Sequence, residues 1–230
     1  MHQGATGAVR LSCVASLQVC LQNGKALVTR LILGVSGVVW VASLAAGISV
    51  LGSYANTSGT VAHAAPAEWP SSSRLTRAPG HPTLVMVLHP HCPCAKAIIG
   101  ELAVLLARTP PMKTTHVLFH RPAGVAHDWH RTPLWSEAVA IPGVTVSVDQ
   151  HGVEARRFGV ATSGHTLLYD GQGRLQFSGG ITASRGHAGD NVGRASLVAL
   201  LQQRPAARQV TSVFGCSLIE PPTAAGAVVQ

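Results

Sequence analysis

The sequence predicts an α/β fold, a three-layer sandwich around a mixed central sheet, preceded by one N-terminal transmembrane helix. Three observations support this prediction. Residues 31–53 carry no charged side chain. From residue 81 onward, short runs rich in Val and Leu alternate with stretches of helical periodicity. Residues 166–178 have the pattern of a β-hairpin, which adds antiparallel strands to an otherwise parallel sheet.

Composition sets the size and the broad class of the protein. With 230 residues, 47% of them hydrophobic, the chain can form one ordinary domain and additional segments. The net charge is +8, but only 4% of residues are aromatic and the arginines are scattered. Since no basic stripe or nucleic-acid motif is present, we expect no nucleic-acid partner. A membrane carrying anionic lipid accounts for the basic balance.

Residues 31–53 are the predicted membrane span. As a helix they would extend about 35 Å, enough to cross the hydrocarbon core with some tilt. Three basic residues precede the span, and no further basic residue occurs until Arg74. This asymmetry predicts a single-pass protein of the cell membrane, with residues 1–30 in the cytoplasm and the C-terminal domain periplasmic or otherwise extracytoplasmic.

The remaining chain divides by composition. Residues 54–80 are rich in Ala, Ser, Thr, Pro and Gly, which predicts a flexible linker. The folded domain is expected over 81–219 and a disordered tail over 220–230. A signal-peptidase site could lie at 62–64, but it is far beyond the apolar stretch, which favours an uncleaved anchor.

The first βα unit is the clearest part of the domain. Thr83–Leu88 is short, apolar and stopped by a proline, as expected of a buried strand. From Ala95 the apolar residues fall on one helical stripe, and the prolines that follow Thr109 end that helix. Residues 114–119 predict a second strand, parallel to the first because a helix separates the two.

The second half of the domain follows from turn and cap residues. A proline in its first turn indicates a short helix over 133–140. The Asp-Gly and Gly residues between 169 and 174 supply the turn of the hairpin. Asp190 or Asn191 can cap a last helix. The predicted elements are a helix over 133–140, a strand over 144–148, a short helix over 150–158, hairpin strands over 166–169 and 174–178, and a helix over 193–203.

Two thiols, Cys92 and Cys94, stand where the first strand turns into a helix. The N–H groups at a helix N-terminus favour thiolate over thiol, and His89, His91 and Lys96 add positive or potentially positive neighbours. We therefore predict a reactive-cysteine site. The alternative is that both cysteines are small core residues.

The spacing of the cysteines limits how they can pair. Residues two apart on a helix point to nearly opposite sides, so Cys92 and Cys94 can pair only if Cys92 precedes the helix. The small ring is strained and easily reduced, which favours a catalytic over a structural disulfide. Cys216 is a third thiol in a tail that could fold back, giving a pair plus one reactive thiol or one three-thiol site. Cys13 and Cys20 precede the span and are expected to be plain thiols.

The string His89-Pro90-His91-Cys92-Pro93-Cys94 resembles that of membrane-anchored, thioredoxin-like bacterial proteins known as the RedB group. The resemblance covers roughly the last two-thirds of the chain and lies in the order of several motifs. It implies a thioredoxin-like fold and redox chemistry without naming a substrate. The other matching stretches are 163–170, 177–182, 185–191 and 213–216.

Two features depart from the wider thioredoxin-like pattern. One residue separates the cysteines instead of the usual two. The position where such proteins place a cis-proline, next to the redox cysteines, holds Gly164 and His165. The change puts ordinary exchange with protein substrates in doubt. A histidine there could carry protons or bind metal, because its pKa lies near neutrality, or it could be a satisfied surface residue.

The first functional hypothesis is a thiol–disulfide oxidoreductase that requires no cofactor. One of Cys92 and Cys94 attacks a disulfide, peroxide or similar electrophile, and the other, or Cys216, resolves the mixed species. Family analogy favours Cys92, as the thiol nearer to solvent, for the nucleophile. The partner would be an extracytoplasmic thiol or disulfide protein whose identity the sequence does not give.

Two other hypotheses remain. Thiolates with imidazole suit copper(I) or zinc, so the three cysteines and a histidine could form a metal carrier. The histidines that could complete such a site are His91, His165 and His187. The third hypothesis is a membrane-tethered binding module on a catalytically dead scaffold, which the missing proline would support.

Overall fold

A computed structural model describes residues 6–60 and 64–218, with side chains at Lys25 and from Val28 onward. The tail expected over 220–230 lies outside the described residues. The chain separates into two compact units, one ending at Ser53 and the other beginning at Tyr54.

The described part of the first unit lies in one long helix, α1, over Thr6–Asn56, whose last three residues belong to the second unit. It is longer than the predicted span because no proline interrupts residues 6–56. Its part Val28–Asn56 has 29 residues and a mean hydropathy of 2.2, and none of its most apolar window is buried. Large side chains such as Trp40 and Ile48 are more than half exposed. By length and composition this helix can cross a membrane.

The second unit is built on a mixed sheet, which within the described residues has five strands in the order β3-β2-β1-β4-β5. The strands β1, β2 and β3 are parallel to one another, whereas β4 runs antiparallel to both β1 and β5. The strand bounds are Thr83–Leu88 for β1, Thr114–Arg121 for β2, Val144–Gln150 for β3, His165–Tyr169 for β4 and Leu175–Gly179 for β5.

Helices cover both faces of this sheet. Three of them contribute to one core and α4 to the other. The predicted three-layer sandwich around a mixed central sheet is therefore confirmed, with helix ends within a few residues of those expected. Asn191 is the residue that caps the last helix, where its side chain accepts from the N–H of Arg194 at 2.8 Å. The helix bounds are Ala95–Ala107 for α2, Pro133–Val139 for α3, Val153–Arg157 for α4 and Val192–Leu201 for α5.

The segment expected as a flexible linker differs from that prediction over residues 64–80. Trp69 packs edge-on against Phe158 and Tyr169, with ring centroids 5.0 and 5.3 Å away. The N–H of Trp69 donates to the carbonyl of Gly173 at 2.7 Å. Because α4 has only five residues, that face of the sheet needs further cover, and one large aromatic side chain supplies much of it.

Candidate redox site

The predicted cysteine turn joins β1 to α2. The N–H of Cys92 donates to the carbonyl of His89 at 3.1 Å, and the N–H of Ala95 donates to the carbonyl of Cys92 at 3.0 Å. Cys94 is the N-cap residue of α2, so Cys92 precedes the helix. The backbone therefore meets the condition that the spacing sets for pairing these two cysteines.

The C-terminal strand of the described chain folds back to this turn. The N–H of Ser163 donates to the carbonyl of Cys216 at 2.8 Å, and Thr162 pairs antiparallel with Ser217. The hydroxyl of Ser163 accepts from the N–H of His89 at 2.9 Å. Ser163 thus joins the tail to the cysteine turn, and the structure brings Cys216 to the same place as the other two thiols.

A glycine makes this close approach possible. A Cβ atom on Gly215 would lie 1.9 Å from the carbonyl oxygen of Ser163, closer than any side chain permits. The residue beside the third cysteine therefore sets how near the tail can come to the sheet.

The three cysteines share one buried cluster, and we call the order Cys94, Cys92, Cys216 the thiol row. Cys92 raises the pKa of both Cys94 and Cys216 by charge and by hydrogen bonding, whereas Cys94 acts on the pKa of Cys216 by charge alone. All three are free thiols. The arrangement therefore offers two alternative disulfides that share one sulfur.

Exposure of the sulfurs differs from the prediction. Cys92 is 0% exposed and Cys94 is 8% exposed, whereas Cys216 is partly exposed. The expectation that Cys92 is the thiol nearer to solvent is therefore wrong, because the returning tail covers it. An external disulfide would meet Cys216 before it met Cys92.

Burial also raises thiol pKa values that the sequence analysis predicts to be lowered. Burial raises the pKa of the Cys94 thiol, and the neighbouring Cys92 adds to the increase. Burial likewise raises the pKa of Cys216 to about 12, again with help from Cys92. The predicted lowering by the helix terminus does not decide the outcome, because the Cys94 side chain makes no cap hydrogen bond and loses its water.

The histidine beside the turn adds no positive charge either. Burial lowers the pKa of His89, and the nearby His120 and His91 lower it further. His91 is exposed, donates from Nε2 to the carbonyl of Trp129 at 3.0 Å, and lies with its ring centroid 4.5 Å from the indole. These rings form the rim of the turn.

Arg185 is a charged group beside the thiols that the sequence analysis missed. Its guanidinium lowers the pKa of Cys94 by charge and by hydrogen bonding, and the pKa of Cys216 by charge, so it opposes burial at both. It also donates to the carbonyls of Gly215 and, at 3.2 Å, Thr57. The sequence indicated this loop only as a source of His187, which is exposed.

The loop that carries Arg185 is tied to α2 by a buried ion pair. Glu101 on α2 and Arg194 on α5 are 3% and 6% exposed and are bonded to each other. Glu101 also accepts from the N–H of Gly189 at 2.7 Å and from the side chain of Asn191 at 3.3 Å. The carboxylate therefore fixes the loop against the same helix that begins at the cysteines.

His165 does not join the sulfurs. It pairs with Val87, whose side chain belongs to the core on the face opposite α2. Its Nε2 is hydrogen-bonded to the hydroxyl of Ser178 at 2.8 Å, and burial lowers its pKa to about 4. The expected role as a proton carrier near neutrality is therefore wrong, because the ring stays neutral there.

The metal-carrier hypothesis finds no support in this geometry. In the part of the chain that the structure describes, no group of three His, Cys, Asp or Glu side chains is arranged to hold a metal ion. Of the three histidines considered for such a site, His91 lies on Trp129, His165 lies on the face of the sheet opposite α2, and His187 is exposed.

Comparison with family models and with curated proteins gave no match. Among solved structures, an uncharacterized conserved protein from Geobacillus kaustophilus matches at 20% identity and a TM-score of 0.52, over 74% of this chain and 95% of its own. The hypothetical protein SMc02350 from Sinorhizobium meliloti matches at 20% identity and a TM-score of 0.50, over 70% and 93%.

A third match is a secreted Mycobacterium tuberculosis disulfide oxidoreductase, homologous to Escherichia coli DsbE. It aligns at 22% identity and a TM-score of 0.35, over 42% of this chain and 67% of its own. The first two matches show a shared fold alone, and the third is too loose to support an inference. The RedB-like resemblance stays a prediction, since none of these matches tests it.

Proposed function

We propose that the protein is a membrane-anchored, extracytoplasmic thiol–disulfide oxidoreductase of thioredoxin-like type, acting through Cys92, Cys94 and Cys216. The observation that carries the proposal is that the tail returns to the cysteine turn, so that the three free thiols share one buried cluster. An apolar core gains nothing from a guanidinium set against its thiols, since burying a charge costs free energy. Thiol exchange requires this kind of contact between sulfurs.

Exchange begins at the exposed end of the row. The thiolate of Cys216 attacks one sulfur of a partner disulfide, forming a mixed disulfide while the other partner sulfur leaves and takes up a proton. Cys92, as thiolate, then attacks the sulfur of Cys216, which forms the Cys92–Cys216 disulfide and releases the second partner thiol. Two electrons and two protons have passed to the partner.

The oxidised centre can then rearrange inward. Cys94, as thiolate, attacks Cys92, which forms the Cys92–Cys94 disulfide and frees Cys216 for another partner. Each step exchanges one S–S bond for another and needs no cofactor. The same sequence run backwards oxidises a partner dithiol, so the compartment and the partner set the direction of electron flow.

The proposed location rests on the first helix and on charge. Val28–Asn56 is long and apolar enough to span a bilayer. The basic residues that precede it support a cytoplasmic N-terminus. The thiol centre then lies in an oxidising compartment, where disulfides form and persist. The motif order supports placement in the RedB-like group.

The test is a redox titration of the full-length chain in detergent micelles. The protein is equilibrated with glutathione at varied ratios of thiol to disulfide, and remaining thiols are labelled with a mass-tagged maleimide. We expect two thiols of the centre to become protected together, as one two-electron couple. The matched control, C13S/C20S, should titrate like the wild type.

The variant C92S should lose this couple, because both alternative disulfides need that sulfur. Labelling of Cys92, Cys94 and Cys216 to the same extent at every ratio would contradict the proposal. The membrane-tethered binding module would then account better for the fold.

A further inference from the structure

We infer that Arg185 is a catalytic residue of the thiol centre, whose guanidinium stabilises the thiolate released whenever a disulfide to Cys92 opens. The inference rests on the proposed function and deepens it by assigning the charged group of the site. Nothing in the cysteine motif itself indicates this residue, which lies more than ninety positions beyond Cys92 in the chain.

The guanidinium is held in place by its own contacts. Its Nη1 donates to the carbonyl of Gly215, immediately before Cys216, and its Nε donates to the carbonyl of Thr57 at 3.2 Å. It also lowers the pKa of Cys94 by charge and by hydrogen bonding, which puts the guanidinium near that sulfur. A guanidinium has five N–H donors in a rigid plane, so it can serve two carbonyls and still donate to sulfur.

Within residues 6–60 and 64–218, the charge of Arg185 has no carboxylate partner. None of the four ion pairs found among the described residues includes it. The carboxylate in the neighbouring network, Glu101, is bound instead to Arg194. A cation without a carboxylate partner, beside two sulfurs whose thiolates burial disfavours, is placed to pair with the negative charge that thiol exchange creates.

The chemistry of the exchange defines what the guanidinium does. When the thiolate of Cys216 attacks Cys92, an S–S bond forms between them and the Cys92–Cys94 bond breaks. The bonding electron pair leaves with the sulfur of Cys94, which becomes a thiolate next to Arg185. The reverse step frees the thiolate of Cys216, which the same guanidinium also attracts. The rate of such an exchange rises as the thiolate that leaves becomes more stable.

Arg185 could instead do no more than fasten the tail through Gly215, and the test must separate the two roles. The reduced full-length chain in detergent is treated with iodoacetamide from neutral to strongly alkaline pH, and alkylation of each cysteine is quantified by mass spectrometry. The midpoint of the pH profile reports the thiol pKa, whereas the plateau rate reports access to the sulfur.

For R185Q we expect the midpoint of Cys94 to rise by about one pH unit or more, with alkylation below the midpoint slower by about tenfold. R185K, which keeps the positive charge but loses the planar guanidinium, should raise the midpoint of Cys94 by less than R185Q does. R208Q is the matched control, since Arg208 is exposed and does not contribute to the pKa shift of Cys94 or of Cys216. Its profile should equal that of the wild type.

An unchanged midpoint with a faster plateau in R185Q would overturn the inference, because it would show a loosened tail and no thiolate stabilisation. If R185Q fails to fold by circular dichroism, R185K decides the matter in the same way. The role of Arg185 and the proposed function can fail independently. If the wild-type chain forms its two-electron couple with glutathione but R185Q keeps the wild-type midpoint, only the role of Arg185 is contradicted.

Discussion

The two faces of the central sheet each bury titratable groups near the C-terminal end of β1, and they do so in opposite ways. On the face opposite α2, His165 has one clear partner, the hydroxyl of Ser178, at 2.8 Å. Around α2, Cys92 has two partners, Cys94 and Cys216, within reach of the same sulfur. His165 therefore has a single bonding arrangement, whereas Cys92 has two.

This difference distinguishes a group that stabilises the fold from groups that can react. A buried polar group with one satisfied hydrogen bond stabilises one conformation and is not expected to react. A sulfur with two competing partners can change its bond without moving the backbone far, and Arg185 can meet the resulting charge. We therefore place the function on the α2 face and assign His165 to stability. The predictions below test that division.

The largest expected effect is the loss of exchange in C92S. Removing the shared sulfur should slow reduction of a model disulfide by about two orders of magnitude or more, as for other groups that form the covalent bond. C216S should lose nearly as much, because the thiol that first attacks the partner disulfide is gone, whereas C94S should lose less, because the Cys92–Cys216 pairing remains. Insulin reduction by the full-length chain measures all three. Equal rates of insulin reduction by C92S and the wild type would contradict the assignment of the reaction to the face of the sheet that carries α2.

The next effect concerns the stability that His165 provides. Its pKa is lowered from 6.5 to about 4, so the unfolded chain binds a proton more readily than the folded one. The stability is therefore present above pH 6.5 and is lost as the pH falls through 4, by about 3 kcal/mol at most. Urea unfolding of the wild type and of H165Q measures the loss.

H165Q should flatten this part of the acid dependence while leaving disulfide exchange at neutral pH close to the wild-type rate. A variant that keeps full acid sensitivity would show that the imidazole is not the group responsible. A variant that loses exchange would bring His165 back into the chemistry.

A smaller effect is expected for G215A. The new Cβ would lie 1.9 Å from the carbonyl oxygen of Ser163, so the tail must shift, at a cost of about 1–3 kcal/mol. The Cys92–Cys216 disulfide should become rare while the Cys92–Cys94 disulfide still forms. G100A is the control, since nothing lies within 4 Å of that position on α2. Unchanged pairing of Cys216 would show that the tail contact does not position it.

The last effect lies at alkaline pH, and solvent screening at the partly exposed Cys216 keeps it small. The pKa of Cys216 is raised to about 12 in the folded chain from 9.0. Stability from keeping this thiol protonated is present below pH 9 and falls as the pH rises toward 12. C216S should lose less stability than the wild type over that range in thermal unfolding. Parallel curves for the two proteins would mean that the thiol is no more buried than in the unfolded chain.

Local patterns in the sequence are enough to predict most of the fold. The proline after β1, the apolar stripe of α2 and the cap at Asn191 depend on neighbouring residues alone. These features need no knowledge of distant contacts. The sequence analysis left open whether the tail returns to the cysteine turn, since Cys216 allowed either a pair plus one reactive thiol or one three-thiol site.

The features that the sequence did not reveal all depend on contacts across the fold. The tail covers Cys92, so burial outweighs the helix terminus in setting the thiol pKa values. Arg185 reaches the sulfurs because Glu101, on another element, holds its loop. Trp69 closes a core far from it in the chain. Burial and long-range pairing do not show in composition or periodicity.

The most direct test of the central claim is a disulfide map of the oxidised chain. The full-length protein is oxidised under mild conditions, blocked, digested without reduction, and its linked peptides are identified by mass spectrometry. We predict that Cys92 is present in the linked peptides of the centre, joined either to Cys94 or to Cys216. A disulfide mainly between Cys94 and Cys216, or three thiols that stay free, would contradict an exchange centre built around Cys92.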